Sequence, residues 1–231
     1  TCFKTGLDGP DKLSMDASGF LYIANMVKMN VIVVDESWFT AVYATVSTYT
    51  YASVDVNPAG TQAYLASHGA NCIRGYLPAH LTGATPVPPR FLEFGLSGTS
   101  GAVDTTGTGG SLSSRMKTVG GGSVDRTTGD VLVGDENNCV IRRLNMYGSN
   151  IAVVGQYGQC SNVGGIGLAA KVSHPIDISH DYDGNAFVLS DAKHQLLFLT
   201  AGGTLSIAAG TGSSGFLDHA SDGLLAKFSA P

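Results

Sequence analysis

The side chains able to do chemistry in this sequence are few and scattered. Cys2, Cys72, Cys139 and Cys160 make an even set with no Cys-x-x-Cys and no His-rich tract, which favours disulfides over a zinc or redox centre. The histidines, His68, His80, His174, His180, His194 and His219, show no helical or paired spacing. His174, just ahead of an apolar strand, is the best placed to reach a central channel as a metal ligand. Asp181 and Asp183 in HDYDGNAF at 180–187 begin like a calcium loop but lack the distal bidentate glutamate, and a plain hairpin turn explains them as well. No cofactor is therefore expected, with calcium or zinc as the lesser reading. GTGSSG at 210–215 satisfies Gly-x-Gly-x-x-Gly, yet FLDHASDGLLAKF follows it where a dinucleotide site needs a helix N-terminus. GTSGA at 98–102 ends in Ala102 and misses the nucleophile-elbow pattern. No catalytic residue is assigned.

Composition narrows the partners. The 231 residues carry 13 Lys plus Arg against 18 Asp plus Glu, a formal charge of -5 that gives little attraction to nucleic acid or anionic lipid. No apolar run approaches the roughly 20 residues of a membrane helix, so neither nucleic acid nor membrane insertion is expected. Only 3 of the 18 acids are Glu, and with 31 Gly the chain is rich in turn formers rather than helix formers. Few Lys and Glu, an even cysteine count and abundant Ser, Thr and Gly suit an extracellular or cell-surface protein. Thr1 is not an initiator methionine, which fits a processed or excised segment. No Asn-x-Ser/Thr site occurs, leaving O-linked glycans on the Ser/Thr-rich stretch 97–114 as the expected modification.

The elements that must position these residues come from a repeat. GLAAKVSHP at 167–175 matches GLLAKFSAP at 223–231 at six of nine positions, and GSLSSRMKTVGG at 110–121 is a fainter copy. Upstream, IAVVG ends at Gly155 and LSIAAG at Gly210. Each unit then offers a Gly-ended turn: DASG at 16–19, NPAG at 57–60, RTTG at 126–129 and DYDG at 181–184. Asp16, Asn57, Arg126 and Asp181 share one turn slot, and so varied a slot reads as structural. Apolar strands flank the turns, with third strands NVIVV (30–34), CIRGYL (72–77), CVIRRL (139–144) and QLLFLT (195–200), giving four strands four times. Such units cannot bury both faces alone, and stacked around an axis they form an all-β fold, a β-propeller of four-stranded antiparallel blades.

HPIDISHDYDGNAFVLSDAKHQLLFLTAGGTLSIAAGTG at 174–212, GGSVDRTTGDVLVGDENNCVIRRL and PDKLSMDASGFLYIAN resemble NHL-repeat propellers, while NPAGTQAYLAS leans toward the related YVTN style. The likeness implies one segment with blade one at about 10–52, blade two at 53–119, blade three at 120–173, blade four at 174–227 and a further blade starting at 228–231. Rings of this family commonly close with about six blades, within the 4 to 8 of propellers generally, so the chain reads as part of a larger ring or assembly, with a small ring closed by these four blades as the alternative. Within it, Cys139 and Cys160 lie toward one rim and are expected to bridge, two buried thiols being the alternative. Cys72 is read at the matching position of blade two, and Cys2 to Cys72 is the remaining pairing. The long loops carry the expected interaction residues Pro78, His80, Pro86, Pro88, Ser97, Thr99, Thr105 and Thr106, with solvated or glycosylated linker as the alternative.

The leading expectation is a non-catalytic extracellular propeller that acts as a protein-protein interaction or structural assembly module, its partners other chains or further copies of itself. The alternative is an NHL-like lyase or hydrolase with a metal in the central channel. A small-ligand propeller would need an apolar or sugar-sized pocket at the axis. Some NHL propellers resemble amidating lyases, whose histidine zinc site has no residue-by-residue counterpart in this sequence.

Overall fold

Short apolar alternations bounded by Gly, Asp and Asn become strands. The computed structural model describes residues 8–25, 30–34, 40–45, 53–76, 90–106, 110–145, 147–229 and 231. Blade one is β1 (Pro10–Met15), β2 (Leu21–Asn25), β3 (Asn30–Val34) and β4 (Thr40–Thr45); blade two is β5 (Ser53–Val56), β6 (Ala63–Ser67), β7 (Cys72–Tyr76) and β8 (Arg90–Phe94). Blade three is β9 (Val119–Val124), β10 (Val131–Asp135), β11 (Val140–Leu144) and β12 (Asn150–Gly155). After β13 (Gly165–Ile166) comes blade four: β14 (Pro175–His180), β15 (Ala186–Ser190), β16 (Gln195–Leu199) and β17 (Thr204–Ala209). Every sheet is an antiparallel meander in chain order, and β13, leaving blade three, pairs with β17 at the outer edge of blade four. Among the described residues there is no α-helix. Three of the short 3-10 turns, Gly110–Ser113, Gly167–Ala169 and Gly223–Leu225, fall on the three copies of the recurring segment, which therefore marks the exit from a blade.

The inner strands follow one another around an axis, β1 against β5, β5 against β9 and β9 against β14. Sheet-to-sheet contact supplies the core. Tyr22 and Ala24 meet Val54, Val56, Ala63 and Leu65. Tyr64, Ile73 and Phe94 meet Val119, Val131 and Val133. Ile141, Val154, Ala170 and Val172 meet Ile178, Val188 and Leu197. Each fully buried aliphatic side chain of this kind contributes about 1.5–3 kcal/mol, and radial stacking of meanders is the β-propeller architecture. Blades three and four approach most closely where β9 and β10 carry glycine: a Cβ at Gly121 would lie 2.0 Å from Asp177 Oδ1, and one at Gly134 would lie 2.0 Å from the Pro175 carbonyl oxygen.

Two polar positions recur in every blade. The first closes the hairpin after the inner strand. Asp16 Oδ1 accepts from the Ser18 and Phe20 amides, Asn57 Oδ1 from those of Thr61 and Gln62, and Asp181 Oδ1 from those of Asp183 and Asn185. In blade three the acceptor is Asp125, bonded by the Thr127 amide, so the reading of Arg126 in this slot is corrected by one residue. The turn there runs one residue longer, and the Gly129 amide reaches back to the Asp125 carbonyl. The second position ends the second strand: Asn25 Oδ1 accepts from the Asp8 amide, Asp135 Oδ1 from the Lys117 amide, and Ser190 Oγ donates to the Ser173 carbonyl. Each ties the segment entering a blade to that blade.

Candidate functional site

Alternation along the inner strands aims one polar set at the axis. Pairing with the second strands makes Lys12, Ser53, Gly121 and Asp177 equivalent, and likewise Ser14, Asp55, Ser123 and Ser179. Five of them, Lys12, Ser14, Asp55, Ser123 and Ser179, line a cleft of about 630 Å³ together with His180. Lys12 Nζ forms an ion pair with Asp177, so blades one and four meet across the axis. Asp55 joins three blades: Oδ1 accepts from Ser14 Oγ and from its neighbour's amide, Val56 N, at 2.9 Å, and Oδ2 accepts from Val124 N at 2.7 Å. Ser123 Oγ accepts from the His180 amide at 3.3 Å.

Charge in the cleft is balanced and partly desolvated. His180 Nδ1 is buried and has no hydrogen-bond partner among the described residues. Burial holds this imidazole below its ordinary value, against the pull of Asp125, Asp55 and Asp181. At the rim Tyr182 is 84% exposed, with the Arg126 guanidinium 5.8 Å from its ring centre. Leu13 and Met15 also line the cleft and are exposed. Behind His180, a smaller 110 Å³ pocket between blades three and four takes in Asp125, Asp130 and Arg143. Burial raises the Asp130 carboxyl there despite the Arg143 charge.

The other residues singled out from the sequence lie elsewhere. Cys139 and Cys160 are bridged, with Cα atoms 5.2 Å apart. His174 stands beside this bridge and is not among the cleft-lining residues; its ring nitrogen and the two sulfurs lie within 4.8 Å of one another, but sulfurs joined as a disulfide are not thiolate donors. Cys72 is buried within β7 opposite Ser67, while the counterpart of Cys139 is Asn71, which shares its left-handed backbone. The matching position read for Cys72 is therefore off by one, and Cys2 lies outside the described residues, as do Pro78, His80, Pro86 and Pro88. Asp181 and Asp183 close the hairpin, with Asp181 Oδ2 also accepting from Asn185 Nδ2.

The stretch holding Ser97, Thr99, Thr105 and Thr106 runs along blade three rather than standing free of it. Gly101 N bonds to Met116 O, Val103 pairs with Arg115, and Thr105 exchanges both backbone bonds with Asn150. Its anchor is Arg142. Arg142 is fully buried, donating from Nε to Asp135 Oδ2 (2.7 Å), from Nη1 to Asp104 Oδ1 (2.8 Å) and from Nη2 to Arg115 O (2.9 Å). Arg143, on the opposite face, is exposed beside Asp130.

A second candidate surface is the outward face of blade four. Leu132, Ile141, Val154, Ala170 and Val172 form the face of blade three that blade four covers. Their counterparts by strand register and by the recurring segment are Phe187, Leu196, Ala209, Ala226 and Phe228. None of these is buried, and Phe187, 42% exposed, stacks on Phe198 at 5.2 Å between ring centres.

No family model matches the sequence, and no curated protein matches it. The fold is similar to that of an auxiliary nutrient binding protein from Bacteroides ovatus ATCC 8483 (TM-score 0.60, 18% identity, 78% of this chain and 45% of that one). It is similar also to Kuenenia stuttgartiensis hydrazine synthase (TM-score 0.60, 14% identity, 90% and 51%) and to virginiamycin B lyase from Staphylococcus aureus (TM-score 0.54, 12% identity, 90% and 72%). The chain spans about half the length of the first two. At these identities the likeness shows the fold alone, that of β-propeller-like proteins.

Proposed function

We propose that this chain is an NHL-like, non-catalytic β-propeller segment that works outside the cell as an interaction and assembly module. The observation that carries the reading is the face of blade four, where the positions that in blade three pack against the next blade recur as Phe187, Leu196, Ala209, Ala226 and Phe228, none of them buried. A face that the repeat elsewhere covers with another blade is suited to another blade. A second copy offers one, because Leu13 and Met15 of blade one are 58% and 55% exposed whereas their counterparts in blade two, Val54 and Val56, are buried. Such a contact is heterologous, joining different patches of the two copies. The disulfide favours an oxidising, extracellular setting.

The lyase or hydrolase alternative needs a channel metal. The cleft lining holds one imidazole, His180, and among the described residues the only group at metal-ligand spacing is the one at the disulfide. Sedimentation velocity tests the assembly reading: the chain is expected to self-associate with rising concentration, and Phe187→Ser with Phe198→Ser to stay monomeric. A monomer at every concentration, or one stoichiometric zinc or calcium per chain in metal analysis, contradicts it.

A further inference from the structure

We infer that the axial cleft is a binding site for a neutral, polyhydroxylated small molecule of one or two sugar rings. The volume is right: about 630 Å³ falls within the roughly 300–1,000 Å³ of small-molecule sites. The chemistry of the wall is mixed in the manner a sugar requires, hydroxyl edges needing donors and acceptors and C–H faces needing apolar surface. Ser14, Ser123 and Ser179, from three different blades, supply hydroxyls that both donate and accept, and Asp55 adds a carboxylate held rigid by bonds from blades one, two and three. Leu13, Met15 and Tyr182 are the large apolar side chains that stand exposed on the same cleft. Tyr182 is an aromatic platform at its rim, backed by Arg126.

The charges select neutrality. Of the charged groups in the lining, Lys12 is paired with Asp177, Arg126 lies over the Tyr182 ring, and Asp55 is filled by donors from three blades. Asp16 is also committed, its carboxylate accepting from two amides and from Tyr22 Oη. A charged ligand would therefore have to displace the donors already on Asp16 or Asp55, break the Lys12 pair or draw Arg126 away from the Tyr182 ring, whereas hydroxyl groups can add to the free positions of the serines without doing so. Leu13 and Met15 also belong to the surface proposed to meet another copy, so the titration is run below the concentration at which the chain self-associates, where loss of binding reports on the cleft and not on assembly.

The experiment is isothermal titration of the chain with D-glucose, D-galactose, maltose and cellobiose, alongside glucuronate and glucosamine as charged controls. Tyr182→Ala and Ser179→Val probe opposite requirements, the stacking platform and a hydroxyl; both positions are exposed, so thermal unfolding is expected to be unchanged. The expected result is binding of at least one neutral sugar in preference to both charged ones, weakened roughly tenfold by Tyr182→Ala and severalfold by Ser179→Val. Binding of no neutral sugar, preference for a charged sugar, or neutral-sugar affinity that neither variant alters would each overturn the inference.

Discussion

Arg142 offers the sharpest test of how blade three is held, because blade four shows what the fold does without it. The positions of Asp135 and Arg142 are occupied in blade four by Ser190 and Leu197. Both Asp135 and Arg142 side chains are wholly inaccessible, so replacing Arg142 with Leu leaves a buried carboxylate without its cation. Breaking such a pair from one side costs about 3–5 kcal/mol, or a fall of roughly 6–20 °C in Tm for a chain of this size. The half-exposed Asp104 contact adds little to that figure. The double variant Asp135→Ser with Arg142→Leu copies blade four, removes both charges, and is expected to regain most of the loss. Some deficit remains because the Lys117 amide and Asn138 Nδ2 lose their acceptor. Chemical denaturation of the wild type, both single variants and the double variant supplies the cycle, and amide exchange at Val103 and Thr105 reports on the loop that Arg142 grips. A single-variant loss below about 1 kcal/mol, or a double-variant loss equal to the sum of the singles, would refute the argument that charge pairing dominates this site.

Three further outcomes follow from the same structure. Cys139→Ser with Cys160→Ser opens a loop with a sequence separation of 21 and is expected to lower stability by about 3 kcal/mol in the chain-entropy account, read as a Tm shift that reductant reproduces in the wild type. His180 is held below its ordinary value of 6.5 by burial, so the unfolded chain binds the proton more readily; its contribution is present above about that pH and is lost as pH falls through it toward the lower folded value. His180→Gln is expected to flatten the stability profile in that window, and an unchanged profile counts against the desolvation. Gly121→Ala places a Cβ against Asp177 and is expected to cost about 1–3 kcal/mol by overpacking, together with loss of the Lys12 to Asp177 pair in a crystal structure; a neutral substitution would mean that blades three and four are less closely apposed.

The repeat made the blades legible before any coordinates, because Gly-ended turns and a segment copied at 167–175 and 223–231 are local signals. Register was harder. Arg126 stood in for Asp125 because the blade-three turn is one residue longer, and Cys72 was aligned with Cys139 although Asn71 takes the left-handed position. The cleft was missed for a different reason: Lys12, Ser14, Asp55 and Asp177 each look like an ordinary polar strand residue, and only the radial stacking gathers them. A comparison of the inner strands at one register, Ser14 with Asp55, Ser123 and Ser179, was the signal present in the sequence. Arg142 was illegible because its partner Asp104 arrives from 38 residues away in a loop with no strand pattern.

The claim on which the functional account rests is that the outward face of blade four receives another blade. Isotope-filtered nuclear Overhauser spectroscopy on a mixture of labelled and unlabelled chain tests it directly. Cross-peaks between the Leu13 and Met15 methyl groups of one copy and the Phe187 and Phe198 rings of the other are the expected result. Their absence at concentrations where the protein self-associates, or cross-peaks from a different surface, would contradict it.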